Sequence, residues 1–353
     1  MVAQALVDFI PILAPDLDFL LLKGPSSPDR LSTAENVVEK VVKPAPNSPA
    51  TMWWLPRIAD LSRVDLFHAT FNIMPAGLKM PCVTTIHDLM WLAQPELCRA
   101  RMGAAIDTWF YQHGINRALK HSAAIASVSQ ATKDAIAQIS PAAGKRTYVT
   151  LPGVDAPSTE EPQLAGEDIW LRDLPRFVLV VGQYAPYKNH EGAIAGFAAA
   201  FHQQENIHLI FVQRMNGNAH RLAELTTRQG VNERVHFLGS VGSDTLAWLY
   251  RHAELLLHPS FCEGFGLPLA EALSSGCPVV TSNQSAMPEV VGDAAILVDP
   301  KSPEAIGAAL SRMVGNASLQ QDLRAKGRVR AASLKWQNFA QANLNIYRKV
   351  IAR

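Results

Sequence analysis

Two stretches of alternating strand-length apolar runs and helix-length segments predict an α/β protein of two Rossmann-like parallel-sheet domains facing a cleft. Runs such as Phe177–Val181 and Ile207–Val212 are apolar throughout, as strands covered on both faces are. The interval 156–168 carries prolines, Ser, Thr and four acids with no apolar period, so it reads as the linker between the domains. At 353 residues the chain is long enough for two separate cores.

In the first half, Ala5–Leu13 has helical spacing and stops before Ala14-Pro15. Asp18–Lys23 reads as a buried strand ended by Gly24-Pro25. Residues 26–50, rich in Pro, Ser and Asn, read mostly as loop, with a short strand near Val37–Val42. Strands are expected at Asp65–Ala69 and Pro81–Leu89, the latter ending in the polar pair His87-Asp88. Open α/β sheets bind ligands at the carboxyl ends of their strands, which makes His87 a candidate. A long amphipathic helix is expected over Arg99–Lys120, then a strand over Ala123–Val128. A helix capped by Ser129 and a strand over Thr147–Leu151 complete this half.

The second half opens with the strand Phe177–Val181. Helices are expected from Glu191 and near Ala219–Gln229, with strands at Ile207–Val212 and Val235–Leu238. The apolar run Leu255–Ser260 then leads into Glu263-Gly264-Phe265-Gly266-Leu267-Pro268-Leu-Ala-Glu271, and Pro278–Thr281 leads out, giving strand, glycine loop, helix, strand. Proline is tolerated in the first turn of a helix opening near Leu267-Pro268. The free amides and positive dipole end there suit a phosphate. Glu271, one turn into that helix, can hydrogen-bond a sugar hydroxyl of the same ligand. Two carboxylates eight residues apart around such a loop therefore describe a nucleotide-sugar site.

This segment resembles the E-x7-E signature of retaining glycosyltransferases, and residues 177–300 resemble glycosyltransferase family 4. The likeness runs on through Ser282-Asn283-Gln-Ser-Ala-Met-Pro288-Glu289. The resemblance implies the GT-B fold, with an acceptor domain over 1–165 completed by a helix at 337–353 and a donor domain over 166–336. It also implies a hexose transferred from a nucleotide diphosphate sugar to a glycan or lipid-linked acceptor, with mannose and GDP-mannose the first guess and surface polysaccharide the setting. Lys188 matches a family lysine that grips the donor diphosphate, and Tyr187 stands where arginine is common. Lys188→Ala is accordingly expected to cut turnover far more than it alters folding. Arg214 lies where relatives carry a basic residue, and Val241 where the backbone meets the base. His87 matches a family histidine near the transferred sugar, and Glu263 would orient that sugar. Glu271 would bind the ribose, and Gly264, Phe265, Gly266 and Leu267 would line the donor. Ser129 and Glu289 read first as helix caps. At the front the family's first strand and glycine turn are missing. A start assigned too late or a shortened chain would explain this, as would a degenerate relative.

The formal net charge of +1 and the lack of a dense Lys/Arg block argue against nucleic acid. Cys82, Cys98, Cys262 and Cys277 show no metal-ligand spacing, and reduced thiols in a cytoplasmic protein are the simple reading. No Asp-x-Asp lies at a strand end, so a metal-independent reaction without a further cofactor is expected, and Gly-x-Gly-x-x-Gly is absent. No apolar run approaches the ~18–20 residues of a membrane-spanning helix. Lipid-linked acceptors in the family leave room for peripheral membrane contact. The alternatives are a nucleotide-sugar epimerase of the same fold and a non-catalytic scaffold.

Overall fold

The computed structural model describes residues 1–98, 104–157, 159–213 and 217–352. The chain forms two compact units. Unit 1 holds Met1–Pro95, the residues up to Gly153 and the C-terminal segment from Lys335. Unit 2 holds Val154–Leu334 with a short piece at Glu96.

Unit 1 begins with α1 (Val2–Leu13), β1 (Phe19–Lys23), β2 (Val37–Val41), α2 (Pro49–Ile58), β3 (Phe67–Ala69) and β4 (Cys82–Ile86). It continues through α3 (Met90–Ala93), α4 (Ala104–His121), β5 (Ala124–Ser127), α5 (Gln130–Ile139), α6 (Pro141–Gly144) and β6 (Thr147–Val149). Two parallel sheets result, β1-β2 and β3-β4-β5-β6, and no strand among the described residues joins them. Their side chains still share a core: Leu20 and Leu22 of β1 and Phe67 of β3 pack around Val42, Leu55, Ala59 and Leu61. The strand expected to be buried at Asp18–Lys23 is half-buried along its whole length. Its partner β2 covers one edge only, so the buried reading is corrected.

The proline-rich stretch read as loop ends in a helix. The Ser48 hydroxyl accepts from Thr51 N–H, and the Thr51 hydroxyl oxygen accepts from Ser48 N–H, a capping box that starts α2 with proline at its first position. Ser129 does cap α5, its hydroxyl accepting from Thr132 N–H at 3.0 Å. The helix expected over Arg99–Lys120 is observed from Ala104, and 99–103 lie outside the described residues.

Unit 2 contains β7 (Phe177–Val181), α7 (His190–Phe201), β8 (His208–Val212), α8 (Gly217–Arg228), β9 (Val235–Phe237), α9 (Ser243–His252), β10 (Leu255–His258), α10 (Leu267–Ser274), β11 (Val279–Ser282), α11 (Met287–Val291), β12 (Ala295–Val298), α12 (Pro303–Met313) and α13 (Ala317–Ser333). Its six strands are all parallel in the order β12-β11-β10-β7-β8-β9. Val178, Leu179, Leu255, Leu256, Val279 and Val280 are fully buried, as strands covered on both faces require. Helices α7 and α12 pack through a glycine pair: a Cβ on Gly196 would lie 2.4 Å from Ile306 Cγ2, and one on Gly307 3.1 Å from Gly196 O.

The chain then returns to unit 1 as α14 (Trp336–Ile351), whose buried residues Trp336, Phe339, Ala340, Asn343, Leu344, Ile346, Tyr347 and Val350 follow helical spacing. It packs on α1 and β5. Tyr347 hydrogen-bonds His68 Nδ1 on β3, and His68 Nε2 meets Thr85 Oγ1 at 2.8 Å. At the crossover a Cβ on Gly153 would fall 2.2 Å from Trp336 N, so only glycine fits there.

Candidate functional site

In unit 2 the chain winds outward in both directions from the central pair β7-β10. That pair is the point where the strand order reverses, and the loops leaving it open the crevice where such sheets take ligands. The loop after β7 carries Lys188 and the loop after β10 carries Glu263.

Asn189 fixes the first loop. It sits in the left-handed region at φ 55°, which asparagine tolerates, and caps α7 by accepting from Gly192 N–H at 3.1 Å. Its Nδ2 donates to Pro259 O at 3.1 Å and Pro300 O at 2.7 Å, tying the loop to those after β10 and β12. Phe261 N–H donates to Tyr187 O at 2.8 Å, which joins the two loops again. Ser285 braces the second, its hydroxyl donating to Glu263 O at 2.7 Å. Gly266 closes that loop at φ 92°, a conformation that favours glycine, and α10 starts at the next residue.

These ties bring Lys188 and Glu263 together, with Lys188 Nζ 2.6 Å from Glu263 Oε1. The same oxygen accepts from Ser260 Oγ at 2.9 Å and lies 3.0 Å from His258 Nε2. A carboxylate only accepts, so His258 carries its proton on Nε2. Burial pushes the Glu263 carboxyl up, but the Lys188 charge and the His258 hydrogen bond outweigh it and hold the group below the usual carboxylate range. Burial holds the His258 imidazole low despite the carboxylate beside it. The Lys188 ammonium also lies 5.3 Å from the centre of the Tyr187 ring, so the aromatic at the position expected for arginine supports the lysine through its π face.

Glu271, at the fifth position of α10, receives a 2.8 Å hydrogen bond on Oε2 from the buried hydroxyl of Tyr250. Burial raises its pKa. Each carboxylate thus spends one oxygen on the protein. Glu263 Oε2 and Glu271 Oε1 have no hydrogen-bond partner among the described residues. Phe265 is buried, Gly264 and Leu267 are half-buried at the helix start, and Val241 lies in the loop before α9. Arg214 lies outside the described residues. Among the described residues, His190 Nδ1 and both amide atoms of Gln213 are buried without a hydrogen-bond partner. Burial, and after it the Lys188 charge, push the His190 imidazole down to about 3.

His87 belongs to unit 1, just past β4. Its Nε2 lies 2.9 Å from Thr70 O, and its N–H donates to Asn72 Oδ1 at 2.7 Å. A carbonyl partner demands a proton on Nε2, which leaves Nδ1 as an acceptor in the neutral ring. Burial holds that ring neutral by lowering its pKa. Glu289, read first as a helix cap, sits in the first turn of α11, whose N-cap residue is Ala286.

Sequence reasoning found Lys188, Glu263 and Glu271 but passed over His258, Ser260, Asn189 and Tyr250. A signal existed for the first two, since a histidine and a serine end an otherwise apolar strand at its carboxyl edge. Tyr250 gave none, because the helix carrying it was not expected. Among the described residues no helix is long and apolar enough to cross a membrane.

Residues 16–157 match the family described as Glycosyltransferase Family 4, and residues 168–330 match Glycosyl transferases group 1. The two matches take in most of the chain. The O-antigen chain mannosyltransferase B of Escherichia coli is 27% identical over 301 residues, covering 80% of this chain and 74% of that protein. Sucrose-phosphate synthase from Thermosynechococcus elongatus superposes with a TM-score of 0.74 at 19% identity, over 99% of this chain and 92% of that one. The Anabaena protein HepE, solved in complex with UDP and glucose, gives 0.69 at 18% identity, over 94% of this chain and 100% of its own. These likenesses identify the GT-B fold.

Proposed function

Since the chain belongs to the family-4 glycosyltransferases, we propose that it is a retaining hexosyltransferase. It moves a hexose, mannose first, from a nucleotide diphosphate sugar to a glycan or lipid-linked acceptor in surface-polysaccharide synthesis. GDP-mannose is the first donor to try. The relative from E. coli is named as a mannosyltransferase of an O-antigen chain, which favours that sugar and that setting.

The observation that carries the reading is the pair of carboxylates at the switch point, each held through one oxygen with the other left for a ligand. In the proposed reaction the bond from the sugar's anomeric carbon to the diphosphate breaks. The acceptor oxygen bonds that carbon on the same face, and its proton passes to the departing phosphate. Charge grows on the diphosphate as the bond stretches, so a cation held at that place lowers the barrier. Lys188 supplies the cation, and the amides of Gly264–Leu267 at the start of α10 add their dipoles. Glu263 Oε2 accepts from a hexose hydroxyl, Glu271 Oε1 from the ribose, and His87 Nδ1 from a sugar hydroxyl in unit 1. Val241 offers its backbone to the base, and Arg214 a second cation.

Titrating GDP, UDP, ADP and dTDP and their sugars against the parent protein and Glu271→Ala, with thermal shift as readout, tests the reading. One nucleotide should stabilise the parent. Loss of a hydrogen bond to a charged group should weaken it about 10- to 100-fold in the variant. A folded protein that no nucleotide stabilises would overturn the reading.

A further inference from the structure

Three donors converge on one oxygen of Glu263, and the cation among them is the one that the donor diphosphate also needs. Lys188, Glu263 and His258 have side chains only 11%, 9% and 2% exposed, so water has little room to replace a departing partner. If Lys188 turned to the diphosphate and nothing else held the carboxylate, a buried anion would be stranded. The two other donors prevent this, and they stand on rigid backbone. His258 ends β10 in register with Thr281 of β11, whose hydroxyl donates to His258 O at 2.8 Å. Ser260 Oγ is fully buried 3.2 Å from His258 Nε2 and donates to Glu263 in its own right.

We propose that His258, backed by Ser260, is a positioning residue: it holds Glu263 in place through Oε1 while Lys188 exchanges that carboxylate for the donor's diphosphate. This rests on the transferase reading above. The arrangement lets one lysine serve two states. Without donor, Glu263 neutralises Lys188. With donor, the diphosphate takes the lysine, and Glu263, still fixed by His258 and Ser260, keeps Oε2 aimed at the sugar. His258 touches neither reacting group and acts only through the carboxylate.

The variants His258→Leu and His258→Gln test this with three readouts: nucleoside diphosphate affinity by calorimetry, donor-dependent kcat and KM, and the imidazole N–H signals by NMR. His258→Leu should lower kcat about 30-fold or more, while the nucleotide Kd and donor KM move less than about threefold, the pattern of an interaction that counts in the transition state. His258→Gln, whose amide can donate to the same oxygen, should recover most of that loss. A kcat within about threefold of the parent in His258→Leu overturns the proposal. So does equal loss of kcat and nucleotide affinity in both variants together with a lowered Tm, the mark of a purely structural role. A parent protein that binds no nucleotide overturns the transferase reading, and the exchange at Lys188 with it, whereas the NMR signal tests the His258–Glu263 hydrogen bond that the proposal requires. A downfield His258 Nε2–H signal that disappears in Glu263→Gln supports it, and the absence of that signal from the parent overturns it.

Discussion

Replacing Lys188 by methionine keeps most of the side chain's apolar stem and removes its charge, leaving Glu263 buried without its cation. The pair is 2.6 Å apart with side chains 11% and 9% exposed, so solvent does little to rescue the carboxylate. Removing one partner from a buried pair costs about 3–5 kcal/mol. His258 and Ser260 still donate to Glu263 Oε1, which sets the expectation at the lower end, about 3 kcal/mol. For a unit of this size each kcal/mol moves Tm by about 2–4 °C, so the transition of unit 2 should fall by about 6–12 °C at pH 7. The pH dependence has a definite sign. The folded pKa of Glu263 lies below its unfolded value of 4.5, so the pair stabilises fully above that pH and loses its contribution as pH falls through the folded value. The methionine penalty should therefore be complete at pH 7 and shrink below 4.5. Calorimetric scans of Lys188→Met, Glu263→Gln and the double variant, at neutral and acid pH, form the assay. The double variant should regain at least half of the loss, because the cost lies in an unpaired charge. An unchanged Tm in Lys188→Met, or losses that simply add in the double variant, would refute the reasoning.

Two other outcomes follow from the geometry. Asn189→Ala deletes a helix cap and two hydrogen bonds to buried carbonyls, and should cost about 3 kcal/mol in urea unfolding. A loss under about 1 kcal/mol would mean that the loop does not depend on that side chain. Burial holds His68 and His190 neutral with folded pKa values of about 3 against 6.5 unfolded. Their contribution is present above pH 6.5 and lost as pH falls toward 3. The urea midpoint should drop between pH 7 and pH 4, and His68→Leu should flatten that slope for unit 1. Parallel slopes in the parent and the variant would contradict this.

The fold was legible where burial leaves a simple pattern. The strand Phe177–Val181 is apolar at every position because both faces are covered, and α14 shows its inner face through Phe339, Leu344 and Tyr347. Helix α13 escaped because only Leu323, Gly327 and Ala331 of its 17 residues are buried, so almost no apolar stripe is visible. Helix α2 escaped because Pro49 and Pro56 count as breakers until the Ser48 cap is recognised. The two glutamates of the site were readable as neighbours in the chain. The meeting of Lys188 with Glu263, 75 residues later, was not, since it depends on β10 lying beside β7. No local spacing records strand order.

The return of α14 to unit 1 has a temporal consequence. A ribosome delivers Val154–Leu334 whole before it delivers Trp336, so unit 2 has everything it needs while unit 1 still lacks Tyr347 for His68. The first unit begun is then the last completed, with its β3–β6 sheet and α1 awaiting their cover through the synthesis of the second. A chain cut before Tyr347 would spare unit 2 and strike unit 1, whose strands all lie far upstream of the cut.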